Sequence, residues 1–232
     1  MFFCIAHLRA TSYGVMPLTL SPKEPDSPEA VAAWIGAQTW ARDRFAHVYR
    51  ASEEHRARHG PSCTVYPSGS GPILGTLAAT TGAKRILELG CGLGYSALWL
   101  AYGSSPDRLV ETIEQDRSHA EFARRHFEQE GYGQRITIRQ GRGADVLAGL
   151  TEPYDLIFCD SDIEEYLVDF DHFLRLLRPG GLLITANLFL AQHDPDMPGL
   201  DQASAYRLRI LDDERLLTAL LPGGLALSVR RA

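Results

Sequence analysis

Five apolar, strand-like runs, RILEL (85–89), LVETIE (109–114), RITIRQ (135–140), YDLIFCD (154–160) and LLITAN (182–187), are spaced by helix-like segments such as YSALWLAYG and SHAEFARRHFEQEG. Connections of that length imply parallel neighbours joined by helical crossovers. The predicted fold is therefore α/β, a doubly wound sheet covered by helices on both faces. RPGG at 178–181 carries the basic residue, proline and glycines that end a helix. After SAYRLRILDD the pattern changes. RLLTALL and LALSVRR are separated only by PGG (222–224), which permits a hairpin but no crossover. The sheet is expected to finish with a terminal antiparallel pair.

The 232 residues, 45% of them hydrophobic, suit one such domain with a small appendage. No apolar run approaches the ~18–20 residues that a membrane helix needs, so no membrane partner is expected. The opening MFFCIAHLRATSYGVM has no basic n-region and no small-residue cleavage site, and is not read as a signal peptide. Residues 1–27 read as a mobile extension. Met16 leaves residues 1–15 open as either a disordered tail or an over-long start. Residues 28–62 read as an N-terminal helical region, because Val31, Trp34, Ile35, Phe45, Val48 and Tyr49 recur at threes and fours. That stripe covers the core, or it is a lid or dimer contact, which exposed tryptophans would favour. Residues 63–232 form the main domain. Cys4, Cys63, Cys91 and Cys159 make no C-x-x-C and read as free thiols in a reducing cytoplasm. A formal net charge of −6 without a basic stripe argues against a nucleic-acid partner.

Strand one runs into a glycine turn. RILELGCGLGYSALWLA (85–101) carries Gly90, Gly92 and Gly94. In an open parallel sheet, ligands bind outside the carboxyl ends of the strands, where the strand order reverses. Glycine there admits a ligand where a Cβ would clash. A dinucleotide fingerprint needs glycine at 95, where Tyr95 stands, so a nicotinamide dehydrogenase is the weaker reading. Glu88 precedes the turn and is placed to bind an ammonium group or a bridging water. Glu114 ends strand two, where it can take both ribose hydroxyls of an adenosine or stand as a solvated strand-end acid. Two carboxylates without clustered Lys or Arg suit a cationic, phosphate-free nucleoside. S-adenosylmethionine (SAM) meets that description.

The runs KRILELGCGLGYSALWLA, VETIEQD, RITIRQGRGADVL, YDLIFCDSDIEEY, FLRLLRPGGLLITAN and LLPGGLALSVRR stand in the order seen in class I SAM-dependent O-methyltransferases. Over residues 63–232 the chain resembles the catechol and caffeoyl-CoA O-methyltransferase group. The resemblance implies a Rossmann-like, seven-stranded methyltransferase sheet, SAM as cofactor, a small-molecule hydroxyl as methyl acceptor, and a homodimer. It further implies that Glu88, Gly90, Gly92, Tyr95 and Ser96 line the methionine part of the cofactor and that Glu114 holds the ribose. GRGA (141–144), including Arg142 and Gly143, would flank the adenine, and Asp160 with Ser161 would face the methionine end. PSGSGP (67–72) matches the segment that closes over the cofactor.

The departures from the group concern its metal. The group follows the strand-four aspartate with Asp-x-Asp-Lys-x-x-Tyr. Here the run is Asp160-Ser161-Asp162-Ile163-Glu164-Glu165-Tyr166, with Ile163 in place of the catalytic lysine. The group ends strand five with Asp-Asn, two metal ligands; here the pair is Ala186-Asn187. Asp160 and Asn187 are the residual ligand positions. One carboxylate and one amide make a poor Mg²⁺ site, so no divalent metal and a metal-independent reaction are expected. Two alternatives stay open. One is a metal completed by Asp194 or Asp196 from AQHDPDMPG (191–199); the other is a non-catalytic SAM-binding protein of this fold.

Methyl transfer from a sulfonium is an in-line displacement, and it needs a base only when the acceptor's own pKa is high. Asp160 and Asp162 lie at the right strand end. His193, in the loop after strand five, has an ordinary pKa near ~6.5 that suits proton removal at neutral pH. These three are the candidate catalytic residues. His172 reads as a surface or core histidine and Tyr166 as a helix anchor. In HVYRASEEHRARHG, His55 and His59 share a helix face, read as solvated rather than metal-binding.

Overall fold

The computed structural model describes residues 25, 27–60, 63–66, 69–189 and 199–232. The expected mobile extension lies almost wholly outside the described residues, as do Pro67 and Ser68 of the expected closing segment. The chain divides into two compact units, one ending at Arg44 and the other running Phe45–Ala232. In the first, helix α1 (Pro28–Ala41) is capped by Ser27, whose side chain accepts a hydrogen bond from the Ala30 amide, and proline opens the helix. No residue of α1 is buried.

In the second unit, α2 (Ala46–His59) and α3 (Gly71–Thr81) precede a seven-stranded sheet. Its strands are β1 (Arg85–Leu89), β2 (Leu109–Glu114), β3 (Ile136–Gln140), β4 (Tyr154–Cys159), β5 (Leu177–Thr185), β6 (Leu216–Leu221) and β7 (Leu225–Arg230), in the order β3-β2-β1-β4-β5-β7-β6. The first five are parallel, and β7 is antiparallel to both β5 and β6. The expected Rossmann-like sheet with a terminal hairpin is thus present. Helices α4 (Tyr95–Gly103), α5 (Arg117–Gln129), α6 (Gly143–Gly149), α7 (Tyr166–Leu176) and α8 (Leu200–Asp212) fill the connections up to β6.

Side chains alternate across the strands. Ile86, Leu156, Phe158 and Ile184 join Leu74, Leu98 and Phe127 in one core, while Leu87, Ile157, Cys159 and Leu183 join Phe170, Phe173 and Tyr206 in the other. Strand order reverses between β1 and β4, which sets a crevice at their carboxyl ends. Among the described residues, no helix is long and apolar enough to cross a membrane.

RPGG follows the end of the helix at Leu176, as expected, but residues 178–181 already lie inside β5. There the pairing with β4 jumps from Tyr154↔Leu177 to Leu156↔Leu182. Arg178 fastens this irregular stretch to Asp155, whose other carboxylate oxygen accepts the Lys84 and Arg85 amides at 2.7 and 2.8 Å. A helix-stop signature is here a strand irregularity, held by an ion pair that local spacing could not reveal.

Candidate active site

The glycine turn after β1 is fixed from two sides. Gly90 has φ +88°, and a Cβ there would overlap the carbonyl oxygen of Asp160. Backbone of the turn and backbone at the end of β4 can approach only because that atom is missing. Gly92 donates its amide to Glu114 Oε2 at 2.8 Å, and the Asp116 amide donates to Glu114 Oε1 at 2.8 Å. Glu114 therefore ties the turn to the start of α5, and each oxygen keeps a lone pair for a ligand.

Below the turn lies a cavity of about 580 Å³. Gly90, Gly92, Tyr95, Ser96, Glu114, Gly143, Asp160, Ser161, Asp162 and Asn187 all line it. The wall carries five acids, Glu114, Asp160, Asp162, Glu164 and Glu165, and among the described residues no Lys or Arg. Such a lining favours a cationic ligand over a phosphate.

Glu88 and Arg142 are not on this wall. Glu88 is fully buried behind the turn. Thr112 Oγ1 donates to its Oε2 at 2.5 Å, and its Oε1 has no hydrogen-bond partner among the described residues. Burial raises its pKa to about 8, outweighing the opposing hydrogen bonds from Ser96 and Thr112. An acid enclosed by β2 is thus kept protonated at neutral pH, rather than facing the crevice as a free carboxylate. Arg142 lines an adjoining cavity and pairs with Glu165 at 3.0 Å.

At the ends of β4 and β5, the Asp160 amide donates to the Leu89 carbonyl and the Ala186 amide to the Cys159 carbonyl, each at 2.9 Å. Asn187 has φ +62°, the one positive φ outside glycine among the described residues. Its side-chain amide meets the Asp160 carboxylate, with Nδ2 donating to Oδ1 at 2.5 Å. Asparagine tolerates that backbone better than most residues, and such strain gathers at functional sites. Burial raises the Asp160 pKa to about 6, against the lowering effect of Asn187. Burial and then the charges of Glu165 and Glu164 also raise Asp162. Ile163 is buried in a 3₁₀ turn (Ile163–Glu165), and Ala186 is buried as well. The two residual ligand positions offer one carboxylate and one amide, already bonded to each other, where Mg²⁺ takes several oxygens.

Tyr166 is buried, and its hydroxyl donates to the Cys159 carbonyl at 3.2 Å, so it anchors its helix. His172 sits on α7 against Arg175. His193, Asp194 and Asp196 lie outside the described residues. The sequence reading missed Cys63–Tyr66 and His119, which also line the cavity. His55 does not lie on the solvated face that its spacing from His59 suggests: Val48, Ser52 and His55, spaced four and three apart, form the buried face of α2. His55 Nε2 lies 3.2 Å from His119 Nε2.

A family model described as O-methyltransferase matches residues 49–230. A Mycobacterium tuberculosis protein named "Probable O-methyltransferase" is 33% identical over 214 residues, spanning 88% of this chain and 95% of that protein. The O-methyltransferase TomG of Streptomyces achromogenes, involved in tomaymycin synthesis and solved with SAM, is 27% identical. Its TM-score is 0.71 over 88% of this chain and 96% of that one. An O-methyltransferase of Bacillus cereus, solved with S-adenosylhomocysteine (SAH), is 25% identical with a TM-score of 0.70 over 87% of this chain and 97% of that one. Glycine turn, strand-end acid, sheet order and these likenesses agree: the chain belongs to the O-methyltransferase family.

Proposed function

We propose that this enzyme methylates a hydroxyl of a small molecule with SAM as donor, and does so without the divalent ion implied by the catechol-type resemblance. The observation that carries the reading is the Asp160–Asn187 hydrogen bond beside Ala186, on a cavity wall rich in acids and free of Lys and Arg among the described residues. Two structural relatives hold SAM and SAH, which supports the same ligand here.

Bound at the glycine turn, SAM supplies an electrophilic methyl group on a sulfonium. Glu114 accepts the ribose hydroxyls with the lone pairs that Gly92 and Asp116 leave free. Tyr95 and Ser96 line the methionine end, and Glu88 lies buried behind the turn that carries them. Gly143 and Arg142 flank the base. The acidic wall favours the cation. With a pKa near 6, Asp160 is ionised at neutral pH and can take the acceptor's proton. Asp162 and His193 are the other groups this reading places at the acceptor. The reading also includes a homodimer in a reducing cytoplasm, where Cys63, Cys91 and Cys159 form no disulfide.

Calorimetry with SAH is expected to give one site per chain. Turnover of SAM with a panel of phenols and hydroxy acids is expected to give methylated product. SAH binding with no product from any acceptor would contradict transfer to such hydroxyls. Asp160→Asn is expected to lower kcat about 10²-fold while SAH binding persists; an unchanged kcat would remove Asp160 from the proton path.

A further inference from the structure

We infer that His55, Cys63 and His119 form a binding site for a borderline-soft divalent cation, with Zn²⁺ the best fit. It shares no residue with the Asp160–Asn187 pair. The three side chains come from separate elements of the larger unit: His55 from α2, Cys63 from the segment after it, and His119 from the first turn of α5. All three are buried, at 5, 6 and 7% exposure. Ligand atoms from the two imidazoles and the thiol all lie within 4.8 Å of one another.

The spacing of the rings suits an ion between them. Two nitrogens each ~2.0–2.1 Å from a tetrahedral zinc stand about 3.3 Å apart. His55 Nε2 and His119 Nε2 are 3.2 Å apart. The far side of the His119 ring faces a carboxylate, with Nδ1 lying 3.9 Å from Glu114 Oε1. A carboxylate there favours the proton on Nδ1 by charge and leaves the Nε2 lone pair for a metal. His59 stacks on His55 with ring centroids 4.1 Å apart, and its Nδ1 donates to the His55 carbonyl at 2.8 Å. These contacts hold the His55 ring in place.

Donor chemistry selects the ion. Imidazole and thiolate suit Zn²⁺ and not Mg²⁺, which prefers carboxylate, carbonyl and water. Three protein ligands leave a fourth position for water or a small ligand. The adjoining cavity of about 610 Å³, bounded by His55, Cys63, Asp116 and His119, has room for either. The competing account is a plain His–His hydrogen bond beside an inert thiol.

The test uses the full chain, stripped of metal and titrated with Co²⁺ alone, then with Zn²⁺. One equivalent of Co²⁺ is expected to give a thiolate-to-cobalt charge-transfer band in the near ultraviolet and the strong visible bands of a four-coordinate ion. One equivalent of Zn²⁺ should abolish both. Cys63→Ser is expected to lose the charge-transfer band, and His119→Gln to weaken Co²⁺ binding at least about tenfold, with circular dichroism confirming the fold of each. The proposal is overturned if the folded wild-type chain gives no such band, if the band survives Cys63→Ser, or if folded His119→Gln binds as tightly as wild type. Should His119→Gln fail to fold, His55→Gln takes its place, and the Cys63→Ser spectrum still decides whether the thiolate is a ligand.

Discussion

At the scale of single residues, Glu114 and Glu88 are two strand-end acids with opposite environments. Both oxygens of Glu114 accept backbone amides. Glu114→Gln turns one of those acceptors into a donor facing an N–H, at a cost of about 1–3 kcal/mol. The SAH Kd by calorimetry is expected to rise about tenfold or more, and an unchanged Kd would take Glu114 out of the ligand site. Glu88 titrates near 8 in the fold, against an ordinary 4.5. The unfolded chain gives up this proton first. The stability contributed by the neutral acid is therefore fully present below about pH 4.5 and is lost as pH rises through about 8. Glu88→Gln carries no such loss. Its melting temperature relative to wild type should climb between about pH 5 and about pH 8.5; a constant difference would show that Glu88 is not buried as a neutral acid. Sequence marked both acids, but only the fold shows that Thr112 on the neighbouring strand closes over one of them.

At the scale of elements, the strands were legible because buried parallel strands are nearly continuous apolar runs. β1, β2 and β4 fall within a residue of the expected spans. The turn was legible for a related reason: three alternate glycines are hard to place anywhere but in a tight crossing. Gly90→Ala should test that crossing. A positive φ and overlap with the Asp160 carbonyl are expected to cost about 2 kcal/mol or more in urea unfolding. A smaller loss would mean that the turn and β4 can separate freely. Other features were not legible. Periodicity marked α2 as amphipathic in part, but which histidine faces inward depends on where α5 delivers His119, some sixty residues later. RPGG looked like the end of a helix because its composition fits that role, while its pairing with β4 and the Arg178–Asp155 contact are long-range.

At the scale of the whole molecule, the doubly wound order brings the ends of β1, β2, β4 and β5 to one crevice, so residues 90, 114, 160 and 187 share a wall despite their separation in the chain. The resemblance made that gathering readable in advance, since the same strand ends carry the site in the group it resembles. It also marked Ile163 and Ala186 as departures from the group's lysine and aspartate, on which the proposed metal-free reaction rests. The direct bond between Asn187 and Asp160 appears only in three dimensions. The central claim is methyl transfer without a hard metal ion at this pair. Its most direct test is SAM turnover on an accepted hydroxyl substrate after EDTA treatment, with and without added Mg²⁺, an ion poorly suited to the His–Cys donors. The account predicts the same rate, within about twofold, in both conditions. A rate abolished by EDTA and restored by Mg²⁺ would contradict it.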